Sequence, residues 1–400
     1  MKKLFINGNI ITMANKIVNS VLIENERIIK VDNNIIDNDA EIIDLKGNTM
    51  LPAFIDAHSH LTSYASTFLE ANLENAKSFE EIVSRLKNFI KENDIKENEW
   101  IIGNGYDHNL LKEKMHPTNE YLDLAFPNYK ILVKHISGHF GVFNTQALKN
   151  LNITNHKNGY LEENEYVEEI KKIPMPSIQK YINAYKKALY EYSSYGITTI
   201  QEGMMVKEMI PLYQALLNSK ILNMDLIGYA SINDSDYIYS TLKDYKKTYK
   251  DNFRLGGYKI ILDGSPQGKT AWMLTPYKNS ADYCGKGNMQ DDEVYNALLK
   301  ANENERQVLA HCNGDRAAKQ YIDMIDKVNK EKSCKLKNPV MIHAQLLNVN
   351  QLEDVKRLDI IPSFFVAHCY YWGDIHIKNF GSERAKKISP VKECINKNIL

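Results

Sequence analysis

Charge of one sign, a long apolar run and paired cysteines are all missing from this 400-residue sequence. Lys plus Arg equals Asp plus Glu, at 50 each, so no basic or acidic excess points to nucleic acid or a membrane surface. No stretch reaches the eighteen or so apolar residues of a membrane span. The opening Met1-Lys-Lys-Leu-Phe-Ile-Asn-Gly has too short an apolar run for a signal peptide. The five cysteines, Cys284, Cys312, Cys334, Cys369 and Cys394, are scattered and odd in number, which argues against a disulfide framework or a cysteine-based zinc finger. These absences predict a reduced, cytoplasmic setting, with no nucleic-acid or membrane partner. They leave the oligomeric state open, a homo-oligomer included. With 44% hydrophobic and 25% charged residues, the composition is that of an ordinary globular protein. The length suits a barrel with a smaller companion.

Residues 1–50 read as short strands: Leu4-Phe-Ile, Ile10-Ile-Thr, Ser20-Val-Leu-Ile, Arg27-Ile-Ile-Lys-Val and Glu41-Ile-Ile-Asp. Asn, Asp and Gly punctuate them as turn residues do. From residue 51 apolar strands alternate with amphipathic helices. Ser78-Phe-Glu-Glu81 has the form of a capping box, followed by Ile82, Val83, Leu86, Phe89 and Ile90 at helical spacing. Further strands are expected at Ile131-Leu-Val-Lys, Ile197-Thr-Thr-Ile-Gln, Asp225 to Ala230, Tyr258 to Asp263, Gln307 to His311, Pro339 to His343 and Ile361 to Val366. Several are continuously apolar, which suits parallel strands buried on both faces. From residue 197 they recur at about the length of a βα unit, so the expected fold is α/β, a (β/α)₈ TIM-like barrel. The stretch from about 65 to 190 is too long for one βα connection. It reads as an insertion after strand one, with helices and at least one strand of its own.

In such a barrel chemistry sits at the carboxyl ends of the strands. His58 and His60 close the run Leu51-Pro-Ala-Phe-Ile-Asp-Ala-His-Ser-His60, and in a strand residues two apart share a face. His311 and His343 end two later strands, and Lys259 lies in a third. Imidazole is the usual nitrogen ligand of zinc and similar ions, so four histidines at strand ends read as a metal-ligand constellation.

On these residues the chain resembles the amidohydrolase superfamily, in particular its YtcJ-like (amidohydrolase 3) branch. The matching motifs are the His58-Ser-His60 run, Gly196-Ile-Thr-Thr-Ile-Gln-Glu202, Lys259-Ile-Ile-Leu-Asp-Gly-Ser265, His311-Cys-Asn-Gly-Asp-Arg-Ala317, Met341-Ile-His-Ala-Gln345 and, in the insertion, Gly138-His-Phe-Gly-Val-Phe-Asn144. The resemblance implies a metal-dependent hydrolase with one or two divalent ions, zinc foremost. His58, His60, Lys259, His311 and His343 are the implied metal residues. Lys259 stands where the branch bridges two ions through a carboxylated lysine; the other reading is a charge paired with Asp263. His311, Asp315 and His139 are the catalytic candidates, and Asp263, His139 and His368 the substrate contacts. His108, His116, His135, His156 and His376 read as ordinary structural or surface residues.

The implied reaction is hydrolysis of a non-peptide C–N bond of a small amide, formamide or cyclic amide by metal-activated water. A deaminase or an ester or lactone hydrolase is the alternative on the same barrel. The branch's eighth strand ends in an aspartate that this sequence does not match, since Pro390-Val-Lys-Glu-Cys-Ile-Asn-Lys-Asn is helix-like. The expectation is therefore a barrel over 51–400 lacking strand eight and the C-terminal β strands, with 1–50 as the N-terminal part of a small β-sandwich-like domain. A truncated, non-catalytic metal-binding paralogue is the remaining reading.

Overall fold

The computed structural model describes residues 1–399 apart from 15, 139, 155 and 247, with the side chains of 163, 164 and 167 also left out. Seven strands hydrogen-bond in chain order in one sheet: β1 (Phe54–Ile55), β2 (Ile197–Met205), β3 (Asp225–Ser231), β4 (Phe253–Ile261), β5 (Gln307–Cys312), β6 (Val340–His343) and β7 (Ile361–Phe364). β1 pairs with β2, and β3 through β7 pair in turn, all in parallel. The interiors of β3, β4 and β5 are buried with little alternation, as expected of strands covered on both faces. Each strand from β2 on is followed by a helix, as in Asp291–Glu303 after β4 and Asp315–Glu331 after β5. The second of these turns Ala318, Tyr321, Ile322, Ile325 and Val328 inward at helical spacing.

Two compact units divide the chain. The smaller comprises Met1–Asp56 and Tyr192–Thr199. Its strands Arg27–Asp32, Ser20–Glu24, Lys2–Ile6 and Glu41–Asp44 form one sheet in that order, over Leu4, Leu22 and Ile35. Ile17–Val18, Asn9–Ile11 and Thr49–Met50 form a second. The two-residue strands escape sequence reading because two residues cannot display a period.

The larger unit comprises Ala57–Glu191 and Ile200–Leu400. Between residues 65 and 190 it holds a five-stranded sheet of its own, in the order Ala71–Asn72, Trp100–Tyr106, Lys130–His135, Phe140–Phe143 and Tyr160–Glu162. The first three strands are parallel, and each of the last two is antiparallel to the strand before it. Helix Phe79–Glu92 begins at Ser78, whose hydroxyl accepts the Glu81 N–H at 3.2 Å, and it buries Phe79, Ile82 and Leu86. The capping box is only half made, because the Glu81 carboxylate accepts from Lys77 N instead. Among the described residues no helix is long and apolar enough to cross a membrane.

One expectation needs correction. β1 ends at Ile55, so His58 lies in the bend that follows, and His60 forms an isolated bridge with Glu202 at the N-cap position of helix Leu61–Thr67, with no side-chain capping bond. The period-two argument for their shared face does not apply there.

Candidate metal centre

The histidines are brought together by curvature of the sheet. Ser59 O accepts the Gly203 N–H at 2.8 Å, which ties the His58 turn to β2. From β2 to β6 is four strand spacings, roughly 19 Å along a flat sheet. Yet the His58 and His343 rings are only 5.6 Å apart. The sheet therefore curls so that its carboxyl ends converge. His58 also lies 5.0 Å from the His60 ring, and His343 lies 4.7 Å from His311.

Local backbone explains how each ring is aimed. Gly203 leaves room for the first pair: a Cβ there would stand 2.8 Å from His58 Cε1 and 3.1 Å from His60 Cε1. His343 and Ala344 both adopt left-handed backbone, φ 71° and 45°. Such a turn at two non-glycine residues is costly and is kept only where the surroundings fix it.

Electrostatics keeps the imidazoles neutral. Burial, reinforced by Lys259 and neighbouring imidazoles, lowers His58 to about 3. Burial and the flanking His311 and His58 lower His343 to about 2. Both retain free-base nitrogens at neutral pH, the form that ligates metals. Asp263 supports His311: its Oδ1 faces His311 Nδ1 at 3.2 Å, and Asn313 N, Gly314 N and Trp272 N donate to its two oxygens at 2.9, 2.7 and 3.0 Å. A carboxylate can only accept, so Nδ1 carries the proton and His311 Nε2 presents its lone pair, which Asn313 Nδ2 faces at 3.3 Å. Of the roles open to Asp263, this favours orienting His311 over touching substrate.

Lys259 is 3% exposed, and its Nζ has no hydrogen-bond partner among the described residues. Its ion pair with Asp263 is not formed. Desolvation lowers its ammonium to about 8. A buried, partnerless amine is the donor set's unexplained member, and an added carboxyl group would make it an oxygen ligand. With three imidazoles in ring contact, His60 beside them and this amine, the residues fit a divalent metal.

The other candidates are spread more widely. His368 opens helix His368–Phe380, its ring 6.2 Å from His343, with burial lowering it to about 4. Asp315 starts helix Asp315–Glu331 and accepts Leu274 N at 2.7 Å. It borders a separate cavity of about 300 Å³ with Met273, Leu346 and Arg384, and no contact joins it to the histidines among the described residues. His139 lies outside the described residues.

Two residues of the centre were not singled out from sequence. Glu202, 2% exposed, accepts Thr62 N at 2.8 Å and places Oε1 3.8 Å from His60 Nδ1. Gln201, beside it on β2, acts against the burial that lowers His58. Their signal was an amide and an acid side by side within a β-strand, in a motif already quoted.

A parallel sheet whose strand ends gather imidazoles around a buried lysine defines a class of hydrolase scaffold. The amidohydrolase family model matches residues 41–400, and the chain belongs to that family. It is 26% identical over 390 residues to YtcJ of Bacillus subtilis, described as an amidohydrolase, covering 90% of this chain and 71% of that one. Over 120 residues it is 28% identical to an N-substituted formamide deformylase of Arthrobacter pascens, 30% of this chain and 22% of that. A metal-dependent hydrolase of Pyrococcus furiosus, itself uncharacterised, has a similar structure, with TM-score 0.82 and 25% identity over 100% of this chain and 84% of its own.

Proposed function

We propose that this chain hydrolyses a non-peptide C–N bond of a small amide, formamide or cyclic amide, using one or two divalent ions, zinc foremost. The observation that carries the reading is the convergence of His58, His60, His311 and His343 beside the partnerless Lys259. In it the seven parallel strands are seven of a (β/α)₈ barrel spanning residues 51–400, with 65–190 inserted and 1–50 a small β domain. The formamide deformylase supports the substrate class, through a match limited to 120 residues.

His58 and His60 would hold one ion, and His311 and His343 a second or its water, with a carboxylated Lys259 between. Bound there, a divalent ion supplies water activated near neutral pH and polarises a carbonyl oxygen. The chain's own groups do the rest. Asp263 fixes the His311 tautomer, Glu202 braces the His60 turn, and burial keeps His58 and His343 unprotonated. His368, neutral and with Nδ1 partnerless among the described residues, is the group placed to contact substrate.

Elemental analysis of the purified chain, with a hydrolysis screen of N-substituted formamides and cyclic amides, tests the reading. Metal at this centre and turnover are expected in the parent chain; in His58→Ala with His60→Ala turnover should be lost and the metal content should fall. Unchanged metal content in that double variant would remove the site. Release of ammonia from amino-substituted rings in place of amide hydrolysis would favour the deaminase alternative.

A further inference from the structure

The inserted sheet gathers a second set of donors. Its strands Trp100–Tyr106 and Lys130–His135 run parallel, with a register shift between Asn104 and Tyr106 that sets Tyr106 opposite His135. Gly105, at φ 98°, makes that bulge. Asp107 and His108 follow at once in a turn, so three polar side chains meet at the carboxyl ends of two adjacent parallel strands.

The geometry points to a transition-metal site formed by Asp107 Oδ1, His108 Nδ1 and His135 Nε2. The three atoms are separated by 3.3 Å (His108 to His135), 3.6 Å (His135 to Asp107) and 3.9 Å (His108 to Asp107). The centre of that triangle is about 2.1 Å from each corner, the zinc–nitrogen bond length. A hydrogen-bonded pair fixes only one edge of such a triangle, whereas a shared ion accounts for all three.

Each ligand is held by a second contact. Asn109 donates to Asp107 Oδ1 through its backbone and side-chain nitrogens, at 2.8 and 3.0 Å. His135 stacks on Phe140 at 4.1 Å, and its Nδ1 lies 2.9 Å from Ser137 Oγ. Ser137 N also donates to Nδ1 at 3.1 Å, so the neutral ring carries its proton on Nε2, and an ion binding there displaces that proton. Burial lowers His135 despite the opposing pull of Asp107, and it lowers neighbouring His116 to about 4, so both rings are neutral at pH 7. Among the described residues the only ion-pair partners of Asp107 are His108 and His135. Two nitrogens and one carboxylate oxygen suit zinc or cobalt and leave open positions for water or an oxygen donor.

Among the described residues no ring contact or ion pair joins these three side chains to His58, His60, His311 or His343, and the test separates the two groups. Chelator-stripped protein is titrated with Co²⁺, read by visible absorption and bound-metal analysis. The His58→Ala, His60→Ala background is expected to retain one equivalent. Adding Asp107→Asn or His108→Asn, both isosteric or half-exposed changes, should weaken that equivalent at least tenfold, and His135→Gln should abolish it. Circular dichroism confirms the fold of each variant. Loss of all Co²⁺ from the His58→Ala, His60→Ala background, or uptake there that Asp107→Asn and His108→Asn leave unchanged, overturns the proposal. Neither result bears on amide hydrolysis by the parent chain.

Discussion

Gly203 carries more of the centre than any charge does. A methyl group there would sit 2.8 Å from both His58 Cε1 and Ser59 O, closer than unstrained contacts allow. The His58 turn must then leave β2, and it takes both imidazoles with it. Gly203→Ala is therefore expected to weaken metal binding at least tenfold, comparable to losing a supporting group, as read by chelator competition. At the same scale, His376 is fully buried between His368 and Phe380, at ring distances of 5.8 and 5.7 Å, with both nitrogens partnerless among the described residues. Burial lowers its pKa. Below the unfolded value near 6.5 the unfolded chain binds a proton that the native ring refuses, so stability falls as pH falls. His376→Phe should narrow the gap in melting temperature between pH 7.5 and pH 5.5, and an unchanged gap would contradict the account.

Among the elements, Asn144 shows what a motif residue can be for. Its fully buried side chain accepts from Ile131 N at 2.9 Å and Ala147 N at 3.0 Å, and donates to Tyr129 O at 2.9 Å. It thus caps helix Thr145–Leu151 and pins strand Lys130–His135 in one stroke. Asn144→Ala removes a cap and strands buried polar groups, costing about 2–4 kcal/mol, to be checked by denaturant unfolding. From sequence this asparagine was visible only as part of a family-like segment. The strands that carry His311 and His343 were legible because continuous apolar runs mark buried parallel strands. The His58-Ser-His60 pairing was found on a strand argument that the fold does not use. The Asp107, His108 and His135 gathering was not legible at all, because its members come from two strands that only tertiary pairing makes neighbours.

For the molecule as a whole, the four histidines of the candidate metal centre come from positions 58 to 343, so an ion held by them would cross-link segments far apart in the chain. Such a ligand binds the folded chain and not the unfolded one, and adds about 2.7 kcal/mol when free metal is a hundred times its dissociation constant. Stripping metal with a chelator should accordingly lower the melting temperature by several degrees, and restoring Zn²⁺ should recover it. The same treatment applied to His343→Asn should shift melting much less, because the remaining ligands no longer span the curled sheet from β2 to β6. Equal shifts in parent and variant would mean that the stabilising ion sits elsewhere, and the inserted sheet would be the first place to look.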